Sequence, residues 1–186
     1  MSRILAVYGT AYGQTEKIVR RMAARLIEGG HTVTVVKGDE LPPALSLDDH
    51  DAFLIGASVI AGRHQRYMRA FVRRHLSRLN AAPSAFVSVC GSAAGATAKE
   101  RELAQSYVAQ FLRETGWRPR LTTSVAGAIA YTRYGFFLRW IVKRMSGRTG
   151  GPTDTSRDHE LTDWQVVDAF ARQIGESVAQ VAGITD

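Results

Sequence analysis

A short segment with two threonines and two glycines separates the first apolar run of the chain from the first helical pattern. It reads GTAYGQT over residues 9–15 and follows the apolar run ILAVY. Backbone N–H groups at a helix start, the helix dipole and the hydroxyls of Thr10 and Thr15 can together hold one phosphate dianion. The segment therefore predicts a phosphate loop, although an ordinary strand-to-helix turn has the same local pattern.

The spacing within this segment excludes two familiar phosphate loops. A nucleoside triphosphate loop has four residues between its glycines and then Lys followed by Ser or Thr. Here Gly9 and Gly13 are separated by three residues, and Gln14 stands where the lysine would be. The dinucleotide fingerprint Gly-x-Gly-x-x-Gly is also absent. The remaining pattern, Thr10-x-x-Gly13-x-Thr15, fits a monophosphate ester best.

Apolar runs alternate with helical patterns along the chain and predict how this loop is positioned. Strands are predicted at residues 4–8, 32–36, 53–57, 85–89 and 121–130, and helices at 15–28, 67–79, 98–115 and from a capping box at 162–165 onward. Strands that alternate with helices form a parallel sheet covered on both faces. The predicted fold is an α/β three-layer sandwich with a five-stranded parallel sheet, in a single domain of 186 residues.

Loops that follow parallel strands meet at one edge of the sheet, where folds of this class bind ligands. The loops after the first, third and fourth predicted strands read GTAYGQT, SVIAGRH and CGSAAGA. All three are rich in small residues, so we expect them to form one site. A phosphoacceptor receiver domain of the same architecture is excluded, because Gly56-Ala57-Ser58 stands where that domain needs an aspartate.

The positive charge of the chain is concentrated in one segment. The net charge is +7, from 24 basic and 17 acidic residues, yet residues 118–153 contain seven basic residues and no acidic one. This distribution predicts a localised anionic partner, such as lipid headgroups or an acidic small molecule. Nucleic acid is not expected, because the chain has no binding module with aromatic residues interleaved among the charges.

Motifs along nearly the whole chain resemble a known group of flavoproteins. Residues 10–15 resemble the phosphate loop of flavodoxin-like FMN proteins. The other motifs resemble the quinone-dependent protoporphyrinogen IX dehydrogenases of bacterial haem synthesis: GAS at 56–58, LNAAPSAF at 79–86, GWRP at 116–119, AGA at 126–128, YTRY at 131–134, MSG at 145–147, TDT at 153–155 and TDW at 162–164. The later motifs are the specific ones, because ordinary flavodoxins lack the arginine- and aromatic-rich segment after the fifth strand.

The resemblance implies a flavodoxin-like fold with FMN held by the three loops. It places the phosphate at Thr10, Ala11, Tyr12, Gly13, Gln14 and Thr15, and the isoalloxazine beside Ser58, Val59, Ile60, Ala61 and Gly62 and beside Val89, Cys90, Gly91 and Ser92. It also implies oxidation of protoporphyrinogen IX to protoporphyrin IX, with electrons passed to a membrane quinone. The alternatives are a flavodoxin-like quinone reductase or electron-transfer flavoprotein with a different substrate, and a non-catalytic flavin-binding or membrane-docking module.

An insertion at about residues 131–153 follows the fifth predicted strand. On a helical wheel Phe137, Leu138, Ile141, Val142 and Met145 share one arc, and basic residues lie opposite. This arc can pack on the domain or rest on an anionic membrane surface. Both are also possible together, with one edge of the arc on the domain and the other on lipid. Candidate contacts with substrate or membrane are Arg63, His64, Arg133, Phe136, Arg139, Trp140, Lys143 and Arg144. The resemblance places the protein in the cytoplasm, peripheral on the inner face of the cell membrane.

The remaining reactive side chains predict no further chemistry. No catalytic acid or base stands out, and the five histidines lack the spacing of metal ligands. His64, with Arg63, is equally compatible with a solvated loop and with a substrate contact. Cys90 is interpreted as a small residue at a strand end in a reducing compartment. The N-terminal residues predict no signal peptide, and no apolar run predicts a membrane-crossing helix.

Overall fold

The structure is a computed structural model that describes residues 1–148 and 151–183 of the chain. Its strands are β1 (Arg3–Gly9), β2 (Thr32–Lys37), β3 (Ala52–Ile60), β4 (Arg63–His64), β5 (Ser84–Val89), β6 (Leu121–Val125), β7 (Ala128–Ile129) and β8 (His159–Glu160). Its helices are α1 (Gln14–Glu28), α2 (Arg66–Arg74), α3 (Leu76–Ala81), α4 (Ala98–Thr115), α5 (Phe136–Arg148) and α6 (Trp164–Ala182). Residues 149, 150 and 184–186, which the predicted insertion and domain include, lie outside the described residues.

The central sheet has the predicted number of strands, and these strands are parallel as predicted. Five parallel strands lie in the order β2-β1-β3-β5-β6, and the short β4 pairs antiparallel with the end of β3. The strand order reverses beside β1, where the chain first steps outward to β2 and then returns to β3. The α/β sandwich with a five-stranded parallel sheet is therefore confirmed.

Alternate side chains of the central strands fill two separate cores. Ile4 and Ala6 face α1 and α6, whereas Leu5 and Val7 face α2, α3 and α4. The first core also contains Ile18, Met22, Leu26, Phe170, Ile174 and Val178, and the second contains Phe53, Ile55, Met68, Phe71, Val72, Leu79, Phe86, Phe111 and Trp117. A large apolar side chain contributes about 1.5–3 kcal/mol when buried, so these two cores hold the strand ends rigidly in place.

The predicted fifth strand at 121–130 is in fact two strands in different sheets. β6 ends at Val125, and β7 turns away to pair antiparallel with β8, which lies about thirty residues further along the chain. Leu161 N also donates to the carbonyl oxygen of Gly127 at 3.0 Å. The β7–β8 pair therefore joins the two ends of the insertion, a long-range pairing that the apolar run could not reveal.

The predicted helix at 67–79 is broken at His75. α2 ends at Arg74 and α3 begins at Leu76, because His75 has φ −109° and ψ 20° and leaves the helical conformation. Phe71 and Leu79 nevertheless face the same core. The apolar periodicity therefore continues through the break, which explains why the sequence predicts one helix.

The last helix is capped by Asp163 and not by the predicted Thr162. The Asp163 carboxylate accepts hydrogen bonds from the N–H groups of Gln165 and Val166 at 2.9 and 3.3 Å. Thr162 instead donates its hydroxyl to the carbonyl oxygen of Ala126 at 2.8 Å. The Asp163 carboxylate is a stronger hydrogen-bond acceptor for the helix start than the Thr162 hydroxyl would be. Thr162 is therefore free to join the start of α6 to the end of β6.

None of the described helices combines the length and apolarity needed to cross a membrane.

Candidate cofactor site

The sheet register brings the three predicted loops to one edge. Gly9 at the end of β1 lies opposite Ala57 of β3, and Ser58 lies opposite Val89 at the end of β5. Neighbouring strands are about 4.8 Å apart, so the loops that leave these positions start side by side. This edge is the one at which a doubly wound sheet binds its ligand.

The first loop presents unpaired backbone donors at the start of α1. Gly13 has φ +90°, a left-handed conformation that favours glycine, and its N–H donates to Thr10 Oγ1 at 2.9 Å. No side chain caps α1, whereas Thr97 and Glu100 form a complete capping box on α4. The first N–H groups of a helix have no partner within the helix. Those of α1 are therefore available to an anion.

A buried hydroxyl without a partner lies directly after this loop, in the first turn of α1. Thr15 is only 1% exposed, and its Oγ1 has no hydrogen-bond partner among the residues that the structure describes. Gly56 of β3 allows α1 to pack closely on the sheet here, because a Cβ at Gly56 would lie 2.5 Å from Val19 Cγ2 and 3.4 Å from the methyl carbon of Thr15. A buried polar group left unpaired costs about 1–3 kcal/mol, and an acceptor supplied by a ligand would remove this cost. Hydroxyl and amide donors around one helix start fit the single phosphate of FMN.

Gln14 contributes to the loop differently from its neighbours. Its side-chain Nε2 donates to Thr162 Oγ1 at 2.9 Å, and Thr162 in turn is bonded to the end of β6. The amide side chain is thus used to join α1 to α6. The backbone N–H of Gln14 remains for a phosphate.

The second loop is a tight hairpin and is shorter than predicted. Ser58, Val59 and Ile60 continue β3, and the turn to β4 consists of Ala61 and Gly62 alone. Both have positive φ, +48° and +78°, and Ala61 is the only residue other than glycine with positive φ in the described parts of the chain. A two-residue turn of this kind matches the twist of the flanking strands. The hairpin therefore holds Ile60, which is exposed, at a fixed position beside the first loop.

Gln65 is a polar residue of this site that sequence reasoning missed. Its Nε2 donates to Ser58 Oγ, and its Oε1 is buried without a partner in the described parts of the chain. Oε1 also lies 3.0 Å from the position that a Cβ on Gly9 would occupy. Gln65 therefore connects the first loop to the second. The available signal was a glutamine directly before a helix, one residue beyond the loop that the sequence singled out.

The third loop combines buried and open positions. Val89 and Cys90 are buried at the end of β5, and Gly91 and Ser92 begin a short 3-10 turn. Burial raises the pKa of the Cys90 thiol, which keeps it protonated and unreactive at neutral pH. A Cβ on Gly91 would meet no atom within 4 Å among the described residues, so this side of the site is open.

The structure gives His64 the environment of a core histidine. The ring is buried, its Nε2 lies 2.9 Å from Ser88 Oγ, and its centroid is 4.9 Å from that of Phe111. Burial, and secondarily the charge of Arg69, lowers the pKa of His64 to about 4. The neighbouring Arg63 is exposed, and its contact with substrate stays a prediction.

The first residues of the insertion contact the phosphate loop. Arg133 Nη1 donates to the carbonyl oxygen of Tyr12 at 2.6 Å, and the Tyr12 and Tyr134 rings meet edge to face at 4.9 Å. Beyond this contact, Arg139 is half-buried and donates to the carbonyl oxygen of Tyr134 at 3.2 Å. The sequence could not predict the contact between Arg133 and Tyr12, because 121 residues separate them.

The outer face of α5 is aromatic and basic. Phe136, Phe137 and Trp140 are 89%, 72% and 54% exposed. Lys143 and Arg144 are exposed beside them, and the Arg144 guanidinium lies 5.9 Å from the centroid of the Trp140 ring. Ile141 and Val142 of the predicted apolar arc are half-buried, while the side chains of Leu138 and Met145 lie outside the described ones.

Comparisons with known proteins agree with this architecture and extend it. The flavodoxin domain family matches residues 5–156. The protoporphyrinogen IX dehydrogenase (quinone) of Escherichia coli strain K12 is 34% identical over 172 residues, which cover 92% of this chain and 94% of that protein. The protein of the same name from Leishmania major is 32% identical over 91% of this chain and 73% of its own length.

Among solved structures, oxidised Flavodoxin 1 from Bacillus cereus has the same fold, with a TM-score of 0.54, 14% identity, and coverage of 96% of this chain and 98% of that one. The flavodoxin domain covers most of the chain, and the curated relatives extend the likeness to almost its full length. The chain therefore belongs to the flavodoxin domain family and, within it, to the quinone-linked protoporphyrinogen IX dehydrogenases.

Proposed function

We propose that this protein is an FMN-dependent dehydrogenase that oxidises protoporphyrinogen IX to protoporphyrin IX and reduces a quinone. The observation that carries the proposal is the likeness to curated dehydrogenases of that name over nine-tenths of the chain. Protoporphyrinogen IX loses six electrons and six protons in becoming protoporphyrin IX. Three quinones, each reduced to a quinol, take up this number of electrons and protons.

The first loop would hold the FMN phosphate. Its donors would be the Thr10 and Thr15 hydroxyls and the N–H groups at the start of α1. FMN, when bound, supplies the redox chemistry, because its isoalloxazine can accept electrons from one substrate and pass them to another. The Ile60 hairpin at the end of β3 and the loop at Gly91 after the neighbouring β5 would flank the isoalloxazine.

The small side chains of these two loops suit a large planar substrate. Ala61, Gly62 and Gly91 leave the region beside the strand ends open, where carrier flavodoxins usually have aromatic residues. Protoporphyrinogen IX carries two propionates, and the nearby insertion contains only basic charges. We infer that Arg63 and basic residues of the insertion bind these carboxylates.

We also propose that the outer face of α5 docks on the inner face of the cell membrane, the source of the quinone. Exposed Phe136, Phe137 and Trp140 beside Lys143 and Arg144 make up the combination of side chains that rests in an anionic lipid interface. The chain would then be one cytoplasmic flavodoxin-like domain over residues 1–186, with the insertion at about 131–153 as its membrane-facing part.

Anaerobic turnover tests the function directly. The purified holoprotein is mixed with protoporphyrinogen IX, and the loss of the visible absorbance of oxidised flavin is followed before a quinone is added. We expect bleaching by the porphyrinogen, return of the flavin absorbance with quinone, and growth of porphyrin fluorescence. Protein depleted of FMN is the matched control. Reduction of the flavin by other donors but not by protoporphyrinogen IX would contradict the proposed substrate.

A further inference from the structure

Arg133 places a positive charge over the phosphate loop. Its Nη1 donates to the carbonyl oxygen of Tyr12 at 2.6 Å, and the same atom lies 3.4 Å from the position that a Cβ on Gly13 would occupy. The backbone that carries Arg133 is held by Asp158, which accepts hydrogen bonds from the N–H and hydroxyl of Thr132 at 2.9 and 2.8 Å. The guanidinium is thus fixed beside the start of α1.

The Arg133 guanidinium lies near the positive end of α1. The N-terminus of a helix carries about half a positive charge, which repels a guanidinium. Gly13 is the N-cap of α1, and no side chain among the described residues caps the N–H groups that follow it. A phosphate in the loop would lie close to both positive groups and would turn the repulsion into attraction.

The carboxylates around Arg133 compensate its charge only weakly. Asp158 Oδ2 is 4.0 Å from Arg133 Nε, at the limit of an ion pair, and its other oxygen already accepts two bonds from Thr132. Glu16 in the first turn of α1 is paired with Arg20 at 2.8 Å. The Arg133 side chain is 59% exposed and keeps N–H donors beyond the one given to Tyr12.

We propose that Arg133 recognises the phosphate of the flavin cofactor and makes the protein selective for FMN over riboflavin. The inference rests on the proposed FMN function and assigns a residue of the insertion to the cofactor site. The loop itself contains no basic residue, since Gln14 stands where other phosphate loops have lysine. The insertion therefore supplies the one cation that the loop lacks.

Flavin titrations of the apoprotein, prepared from purified holoprotein, test this role. FMN and riboflavin are titrated separately into the wild type, Arg133→Gln and Arg133→Lys, and the quenching of flavin fluorescence is measured. Arg113→Gln is the matched control, because Arg113 is an exposed arginine at the far end of α4 and its loss changes the net charge equally. Circular dichroism verifies that each variant is folded.

We expect Arg133→Gln to weaken FMN binding about tenfold and to leave riboflavin binding unchanged, because a charge-assisted bond to the phosphate is lost. Arg133→Lys should retain part of the preference for FMN over riboflavin, and Arg113→Gln should retain the whole preference. Added salt should weaken FMN binding to the wild type more than to Arg133→Gln.

Two results would overturn the role of Arg133 and leave the proposed function intact. One is FMN binding by Arg133→Gln as tight as in the wild type. The other is an equal loss of FMN and riboflavin, which would make Arg133 a support for the loop backbone alone. If the wild type itself binds riboflavin as tightly as FMN, the phosphate site of the proposed function fails, and the role of Arg133 fails with it.

Discussion

Thr15 is the single side chain whose environment points most directly to a ligand. Its hydroxyl is buried at the start of α1 and has no acceptor among the described residues. Folding a polar group into such a place costs free energy that binding can recover. An acceptor oxygen from a bound ligand would therefore stabilise the folded protein at this position.

Replacing Thr15 with Val should separate FMN binding from stability. Valine keeps the shape and removes the hydroxyl, so the apoprotein should become about 1 kcal/mol more stable. FMN affinity should fall by about 10- to 150-fold, equivalent to about 1.5–3 kcal/mol for a hydrogen bond to a charged group. Urea unfolding and flavin titration measure the two effects. Thr15→Ser is the control that keeps the hydroxyl, and unchanged FMN affinity in Thr15→Val would remove Thr15 from the phosphate site.

Gly13 and Gly30 provide a matched pair for the conformation of the first loop. Both have positive φ, +90° and +86°, but Gly30 lies beyond the other end of α1 with no atom within 4 Å of its Cβ position among the described residues. Valine at either position should cost at least about 1–2 kcal/mol of stability. Only Gly13→Val should lose FMN, as measured by the ratio of flavin to protein after purification. Retained flavin in Gly13→Val would show that the loop binds without this conformation.

His64 should make the fold sensitive to mildly acidic pH. Its pKa of about 4 in the folded protein lies below the ordinary value of 6.5, so between these values only the unfolded chain binds a proton. Stability is therefore lost as the pH falls through this window, by about 2 kcal/mol between pH 7 and pH 5.

Urea unfolding at the two pH values, compared with His64→Gln, isolates this contribution. The comparison is needed because burial also lowers the pKa of His31 and His75, which act in the same direction. His159→Gln, which removes a histidine that is less buried than His64, is the control. An equal pH dependence in wild type and His64→Gln would contradict the buried neutral imidazole.

Unlike α1 and α6, the helix α5 leaves large aromatic side chains exposed to solvent. α1 and α6 bury their apolar faces on the sheet, whereas α5 exposes three aromatic side chains near its start. The segment before α5 contacts the first loop through Arg133, so docking of this face on a membrane would bring a quinone and the flavin to the same end of the molecule. This arrangement is what the proposed electron transfer requires.

Removing two basic residues of α5, Lys143 and Arg144, should weaken membrane binding without affecting cofactor binding. Each basic residue near an anionic surface contributes about 1 kcal/mol, so Lys143→Gln with Arg144→Gln should lower binding to anionic liposomes by roughly 30-fold. Sedimentation with liposomes measures this change, and FMN content should stay at the wild-type level. The control pair is Lys99→Gln with Arg113→Gln on α4, which removes the same charge. Equal liposome binding by both pairs would exclude α5 as the docking surface.

FMN should stabilise the complete fold, because its site is assembled from distant parts of the chain. The strand ends of β1, β3 and β5 and the start of the insertion meet only in the folded state. A ligand that binds only the folded state, present at 100 times its Kd, adds about 2.7 kcal/mol to the free energy of unfolding.

Thermal unfolding of the apoprotein with and without FMN measures this gain. Riboflavin at the same concentration should raise Tm much less, because it has no phosphate for the first loop. Thr15→Val should show a reduced rise with FMN. An equal rise with FMN and riboflavin would indicate that the phosphate loop contributes nothing to binding.

Local patterns were sufficient to predict the parallel sheet, the loops at its edge and a monophosphate ligand, whereas FMN was implied by the family resemblance. The runs around Ile4, Phe53 and Ala85 became buried parallel strands, because alternation and loop composition are set by neighbouring residues. The segment at residues 9–15 became an uncapped helix start with Gly13 in the left-handed conformation. Motif resemblance then identified the family, which the curated relatives confirm.

Contacts between distant residues could not be predicted in this way. The pairing of β7 with β8, the bond from Gln65 to Ser58, the burial of His64 against Ser88 and the contact of Arg133 with Tyr12 all depend on packing in three dimensions. A histidine or an arginine in a loop has the same local sequence signal whether it is solvated, buried or placed over a phosphate. Its role is decided by the neighbours that the fold brings to it, because burial and nearby charges set its energy.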